Sequence, residues 1–166
     1  MKWTFPALFA LAACASAPAP APTISAADFA PLIGRDMEGG LTYLDYGSKK
    51  RVLIPATLTI LDAGPGALRF TIGYPDEPQH DGEELIEISA DGRRFGEEEV
   101  LSRTATADGV DFVTRTYGPD DDVDAEFRFT YRITRCAYSA AKEVRPLSEE
   151  DFFERNIYEF SAPGCA

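Results

Sequence analysis

Hydrophobic and polar residues alternate along most of the chain. The alternation is clearest from Glu126 to Thr134, where every odd-numbered residue is apolar and every even-numbered residue is polar. A period of two puts the apolar side chains on one face, which predicts a half-buried strand with one solvent-exposed face. Less regular alternation predicts eight further strands at Leu41–Tyr46, Leu58–Leu61, Leu68–Tyr74, Leu85–Ser89, Val100–Ala105, Val110–Tyr117, 142–147 and 156–161.

Turn-forming residues separate these segments. Asp91-Gly92 and Asp108-Gly109 tolerate the positive φ that tight hairpins need. Pro55 interrupts its strand and predicts a bulge or an unpaired edge. Ser148 to Phe153 begins with a capping residue and two acids, which predicts a single helical turn. Further turns are predicted at 47–49, 64–66 and 118–120.

The only helix predicted ahead of these strands spans about residues 26–33. Ser25 and Asp28 have the spacing of a capping box, with a hydroxyl at the cap and an acid three residues later. Phe29, Leu32 and Ile33 follow at helical spacing, and a glycine comes next. The segment is therefore a short helix with one apolar face.

About ten short, hairpin-linked strands have to protect their edges from pairing with other chains. Closure does so most completely, and it predicts an all-β domain over 25–166: a single antiparallel up-and-down β-barrel with a short N-terminal helix. A β-sandwich of two packed sheets is the alternative.

The predicted helix, followed by Gly39-Gly40-Leu41-Thr42-Tyr43, resembles the opening of lipocalin-like (calycin) barrels. In those proteins a helix or turn leads into a Gly-x-Trp element that plugs one end of the barrel. Here Asp36-Met37-Glu38 stands where the tryptophan is expected. The run from Leu41 to Tyr46 also resembles a segment of uncharacterised bacterial proteins, which implies no activity.

The first 13 residues have the pattern of an export signal. Lys2 precedes an apolar run from Trp3 to Ala13, which as a helix spans roughly 16 Å, too little for a hydrocarbon core of about 30 Å. The run ends in Leu11-Ala12-Ala13-Cys14, which resembles the lipobox of bacterial lipoproteins. The resemblance implies cleavage before Cys14 and lipidation of its sulfur. The alternative is an ordinary signal peptide that is cleaved nearby to release a soluble secreted protein.

Residues 14–24 form an Ala/Pro-rich tether after the predicted signal. Ala15 to Pro22 contains no apolar core residue, and as a stiff, extended segment it spans about 25 Å. The predicted location is therefore the bacterial cell envelope, with a membrane anchor and the domain in the periplasm. The residue after Cys14 is Ala15, not the aspartate that retains some lipoproteins in the inner membrane. The outer membrane is therefore the expected location.

Removing Cys14 leaves an even pair, Cys136 and Cys165, in an oxidising compartment. The two are 29 positions apart, and a bridge would stabilise the fold by about 3–4 kcal/mol. If the last three strands run up, down and up, both cysteines reach the same end of the barrel, which permits a disulfide. Two free thiols are the alternative.

Charge and composition exclude several classes of function. The formal net charge is −12, which repels nucleic acid. One histidine and three cysteines are too few for a metal site built from several His and Cys ligands, and we expect no cofactor. No nucleophile has an identifiable base partner, and we expect no enzyme activity.

Three groups of polar residues are weighed as sites. His80 is flanked by acids, but a solvated histidine in a loop is the favoured interpretation, and haem binding is not expected. Asp120 to Glu126 has oxygens at every second residue but lacks the glycine and glutamate of a calcium loop, so an acidic hairpin turn is favoured. Arg128 and Arg132 lie on the face opposite the aromatic residues and should point outward, toward neighbouring acids.

The favoured function is the binding of a small apolar or amphipathic ligand inside the barrel. The alternative is an acidic protein-interaction or inhibitor module that binds a basic envelope protein; small lipoprotein inhibitors of lysozyme resemble the chain in size, anchor and disulfide. A purely structural envelope role is the third possibility. The predicted ligand-binding residues are aromatic: Phe70, Phe112, Phe127, Phe129 and Tyr131.

Overall fold

The computed structural model describes residues 21–165, which contain ten strands and two short 3₁₀ helices. The helices span Ala26–Leu32 and Pro78–His80. The strands are β1 (Asp36–Asp45), β2 (Lys50–Gly64), β3 (Ala67–Gly73), β4 (Gly82–Glu87), β5 (Arg94–Phe95), β6 (Glu98–Ala105), β7 (Gly109–Asp120), β8 (Val123–Thr134), β9 (Ala137–Pro146) and β10 (Phe153–Ser161).

The predicted export signal, the Cys14 lipidation site and tether residues 14–20 lie outside the described residues. Ile24, at the end of the predicted tether, is buried, and its N–H donates to the Gly92 carbonyl at 2.9 Å. The chain is therefore packed against the domain from this residue onward.

All ten strands form one antiparallel sheet in which each strand pairs with its sequence neighbours, except that β4 and β5 are the two ends of the sheet. The first and last strands also pair, with Leu41 of β1 opposite Tyr158 of β10. Between β4 and β5 the contact is a single bridge, Ile88 to Phe95, which leaves the barrel nearly closed. The predicted all-β, up-and-down barrel is confirmed, and the continuous sheet excludes the sandwich.

The N-terminal 3₁₀ helix plugs one end of the barrel. Its Phe29 and Leu32 are fully buried. The Asp28 carboxylate accepts a hydrogen bond from the Ser25 backbone N–H at 2.9 Å, and it pairs with Arg103 of β6. The helix predicted over 26–33 is present as a 3₁₀ helix over Ala26–Leu32. Pro31 lies inside it.

The opposite end of the barrel is open because its strands differ in length. β2 is the longest strand, and its segment from Lys50 to Ala56 pairs with β1 only, since its pairing with β3 begins at Thr57. Pro55 lies in this one-sided segment, which confirms the predicted unpaired edge. The β5–β6 hairpin is also short, so the wall is lower between β3 and β6 than on the other side.

Two predicted connections at the open end are wrong. The turn expected at 118–120 lies at Asp121 and Asp122, which take φ of 50° and 64° while β7 continues to Asp120. Aspartate tolerates this left-handed conformation, so the hairpin forms one step later. The helical turn predicted for 148–153 is absent from the described structure: Leu147 and Ser148 form a turn, and Phe153 begins β10.

The predicted disulfide between Cys136 and Cys165 is present, and it lies at the plugged end. Cys136 follows β8 and Cys165 follows β10, with their Cα atoms 5.7 Å apart. The Ala162 N–H donates to the Cys136 carbonyl at 2.8 Å and draws the tail across the intervening strand. The bridge therefore fixes the C-terminal segment to the β8–β9 turn.

Candidate functional site

A cavity of about 550 Å³ lies inside the barrel, between the plugged end and the open end. Its walls come from the inward-facing residues of most strands, which the pleat places two apart. The apolar part of the lining is contributed by Leu58, Phe70, Ile72, Ile86, Phe95, Phe129, Ala140 and Phe160. The cavity is therefore apolar over most of its surface.

Packed aromatic rings close the floor of the cavity. Phe95 stacks on Phe29 of the plug at 5.6 Å between ring centroids, and it meets the edge of Tyr131 at 5.2 Å. Phe112 stacks on the far side of Tyr131 at 4.6 Å and is itself buried. The floor is rigid because each ring is held by several others.

Glu98 of β6 is the carboxylate placed deepest in the cavity. The Tyr131 hydroxyl donates to its two oxygens at 2.9 and 3.1 Å, and the Thr114 hydroxyl donates to one of them. Burial raises the pKa of Glu98, since desolvation outweighs these two donors. A charged or strongly polar acceptor thus faces an otherwise apolar space.

Tyrosine hydroxyls form the rest of the polar lining. The hydroxyl groups of Tyr74 and Tyr158 are hydrogen-bonded to each other at 2.8 Å. Burial raises the pKa of Tyr131, Tyr138 and Tyr158, so all three stay protonated in neutral solution. Such a lining can desolvate an apolar molecule and offer it a few hydrogen-bonding groups, as ligand pockets typically do.

A second space of about 600 Å³ forms the mouth above this cavity, and the two share Tyr74, His80, Lys142 and Asn156. Lys142 of β9 points inward with its Nζ 3.8 Å from the Phe127 ring centroid and 3.8 Å from an oxygen of Asp120. Burial lowers the pKa of Lys142.

Asp120 also accepts a hydrogen bond from the Tyr46 hydroxyl. The Arg155 guanidinium covers the Tyr46 ring at 4.0 Å and donates to the Leu44 carbonyl. The basic groups at the mouth are therefore already engaged with protein groups.

Three of the five predicted ligand-binding residues line the cavity: Phe70, Phe129 and Tyr131. Phe112 lies beneath the floor, packed on Tyr131, and Phe127 belongs to a separate small cluster with Val144. Contact of these residues with a ligand stays a prediction.

Glu98 and Lys142 are two inward-facing charges that the sequence interpretation missed. Glu98 stands in the run Glu97-Glu98-Glu99, a composition typical of a solvated segment. It lies two residues before the buried Val100, and Lys142 lies two residues before the buried Val144. The period of two therefore contained the signal that both side chains share the inner face.

The other candidate residues take ordinary positions. His80 is exposed in the second 3₁₀ helix, with Nε2 3.8 Å from Glu77, at the rim of the cavity. Arg132 pairs with Asp111 at 3.2 Å and Arg128 with Glu143 at 3.8 Å, both outside the barrel. The predicted solvated histidine and outward arginines are confirmed.

Residues 21–165 contain no group of three or more His, Cys, Asp or Glu side chains arranged to hold a metal ion. No helix within this range is long and apolar enough to cross a membrane. Comparison of the sequence with protein-family models and with curated proteins finds no match.

Proposed function

We propose that the protein binds a small amphipathic molecule inside the barrel. The observation that carries this proposal is the cavity of about 550 Å³, which is apolar on most sides and carries Glu98 and several tyrosine hydroxyls. Small-molecule pockets in proteins have volumes of about 300–1,000 Å³ and this combination of an apolar lining with a few polar groups. A barrel that served only as a scaffold would be filled by its own side chains.

Dye binding tests this proposal. N-phenyl-1-naphthylamine is a neutral, apolar dye whose fluorescence increases when it leaves water, and it should bind the purified protein at one site. Ala140 of β9 lines the cavity, so Ala140→Trp should fill part of it and weaken dye binding at least tenfold.

Ala141→Trp is the matched control, because the next residue along a strand points to the opposite face. This variant should bind the dye within twofold of the wild type. Absence of dye binding to the wild type, or equal binding to both variants, would overturn the proposal. Circular dichroism of each variant establishes that the barrel is intact.

We further propose that the protein is an envelope lipoprotein related to lipocalin-like barrels, anchored through Cys14 with its domain in the periplasm. The sequence at residues 11–14 and the barrel plugged by its N-terminal segment support this assignment. Cells grown with an alkyne-bearing fatty acid should label the wild type and leave Cys14→Ala unlabelled. An unlabelled wild-type protein would contradict the anchor.

Binding of a basic protein is the second candidate function, and the acidic loops of the open end favour it. Asp120 to Asp122 and Glu149 to Asp151 occupy neighbouring connections there. Lysozyme serves as a basic probe protein: its association should weaken steeply when salt is raised. Absence of association at low salt would contradict this candidate.

A further inference from the structure

The cavity inside the barrel has a carboxylate set among aromatic rings. This feature would select among amphipathic molecules. Resting on the proposed function, we propose that the bound molecule carries a protonated amine, which pairs with Glu98 while its apolar body fills the cavity.

Glu98 has acceptor capacity that the protein does not use. An ionised carboxylate offers about four lone-pair sites, and the hydroxyls of Thr114 and Tyr131 are its hydrogen-bond donors among the described residues. No basic side chain in residues 21–165 forms an ion pair with it. The charge of Lys142 acts on Glu98 and favours its ionised form, but the Lys142 ammonium is engaged by Asp120 and the Phe127 ring at the mouth.

A buried carboxylate without a cation is costly, and a ligand cation removes that cost. Desolvation disfavours the ionised form of Glu98, and the nearby Glu84 on the inner face of β4 adds to the negative field. A protonated amine placed beside Glu98 would gain a charge-assisted hydrogen bond in a region of low dielectric. An anionic head group would instead meet two carboxylates.

The surrounding rings also favour a cation. Phe95, Phe129, Tyr131 and Tyr138 line the same cavity as Glu98. The negative face of an aromatic ring attracts a cation, most strongly where the cation is desolvated. A carboxylate and several rings together form a site for an amine that carries an apolar body.

The open end would attract such a molecule from solution. Among residues 21–165, four of the five hairpin connections at this end contain acidic residues: those between β3 and β4, β5 and β6, β7 and β8, and β9 and β10. The fifth, between β1 and β2, contains Lys49, and Lys50 follows it at the start of β2. A mostly acidic rim raises the local concentration of cations and lowers that of anions.

Three probes with the same ring system separate the head-group effect from cavity binding: 1-naphthylmethylamine, 1-naphthylmethanol and 1-naphthoate. Calorimetric titration at pH 7 should show the amine binding at least tenfold more tightly than the alcohol, with the naphthoate weakest. Equal affinities for the amine and the alcohol, or tightest binding of the naphthoate, would overturn the amine inference and leave the proposed function intact. Failure of all three probes to bind would contradict the proposed function itself.

Glu98→Gln tests the residue. Glutamine keeps the shape and an acceptor oxygen but removes the charge, so amine affinity should fall at least tenfold while alcohol affinity stays within threefold. Glu99→Gln is the control, since Glu99 points outward and pairs with Arg115 at 2.7 Å. Unchanged amine binding by Glu98→Gln would overturn the assignment of this residue.

A measurement on the wild type covers the case in which Glu98→Gln fails to fold. Amine affinity should fall as acid protonates Glu98, beginning above the usual carboxyl range because its pKa is raised, whereas alcohol affinity should stay constant. The ionisable groups that face Glu98 are Glu84, Lys142, Tyr131 and Tyr138. A pH-independent amine affinity would contradict the proposal.

Discussion

The hydroxyl of Tyr131 donates to both carboxylate oxygens of Glu98, at 2.9 and 3.1 Å, and so ties β8 to β6 across the inside of the barrel. β7 lies between these two strands and contributes the second donor, Thr114. Three neighbouring strands therefore fix the position of one carboxylate. A group held in this way is suited to recognition because it does not have to be ordered when a ligand arrives.

Removing the donor from β8 should weaken the fold. Tyr131→Phe keeps the stacked ring and leaves Glu98 with the Thr114 hydroxyl alone. A hydrogen bond to a charged group contributes about 1.5–3 kcal/mol, so the free energy of unfolding in urea should fall by that amount. Tyr117→Phe, at an exposed tyrosine of β7, is the control and should change it by less than about 0.5 kcal/mol. Equal effects of the two variants would show that the bond is energetically unimportant.

Glu98→Gln should change how stability depends on pH. The folded pKa of Glu98 is raised by burial, so between the unfolded value of about 4.3 and the folded value the native state binds more protons than the unfolded state. Stability of the wild type is thus lost as pH rises through this window. The variant should gain stability relative to the wild type between pH 4 and pH 7.

Glu99→Gln provides a control of opposite sign for this measurement. Hydrogen bonding to Arg115 lowers the pKa of Glu99, so its contribution to stability is lost as pH falls. For Glu99 this loss falls below its unfolded pKa of about 4.3. Urea unfolding should therefore show the stability of Glu98→Gln relative to the wild type rising from pH 4 to pH 7, and that of Glu99→Gln falling from pH 3 to pH 5. Parallel changes would contradict the assigned environments of the two carboxylates.

Local pattern predicted the barrel because the side-chain period of a strand is a property of adjacent residues. The alternation around Tyr131 correctly identified the inner face of β8. It did not reveal where along the barrel axis a residue lies, and for that reason Phe112 and Phe127 were placed with the cavity. Their depth depends on the length of β6 and on the plug, which are properties of the whole fold.

The composition of the sequence around Glu98 favours an exposed segment, whereas the period of two places the Glu98 side chain inside the barrel. Three consecutive glutamates favour a solvated segment, yet a strand must turn every second one to the same face. The hydroxyls of Thr114 and Tyr131 that donate to this carboxylate lie on the next two strands, 16 and 33 residues along the chain. Only the register of β6, β7 and β8 brings them together.

The plug should be a major source of stability. Phe29 is fully buried and contacts the rings of Phe70, Phe95 and Phe112. Phe29→Ala should lower the free energy of unfolding by about 3–5 kcal/mol, through lost burial and the space left behind. Leu53→Ala is the control, because Leu53 is 67% exposed on β2. A Phe29→Ala variant as stable as this control would show that the helix does not close the barrel in solution.

Loss of the disulfide should destabilise the protein without changing its fold. Replacing both Cys136 and Cys165 with serine frees a loop of 29 residues in the unfolded chain, which should lower the free energy of unfolding by about 3–4 kcal/mol. Urea unfolding of the wild type with and without reductant provides a second measurement. Reductant should have no effect on the double variant, and a reductant-insensitive wild type would contradict the bridge.

Methyl NMR can locate the ligand whose binding inside the barrel is proposed. In protein labelled at alanine methyl groups, bound 1-naphthylmethylamine should give intermolecular nuclear Overhauser effects to Ala140 and none to Ala141. Contacts to Ala141 without contacts to Ala140 would place the molecule on the outer surface and contradict the account.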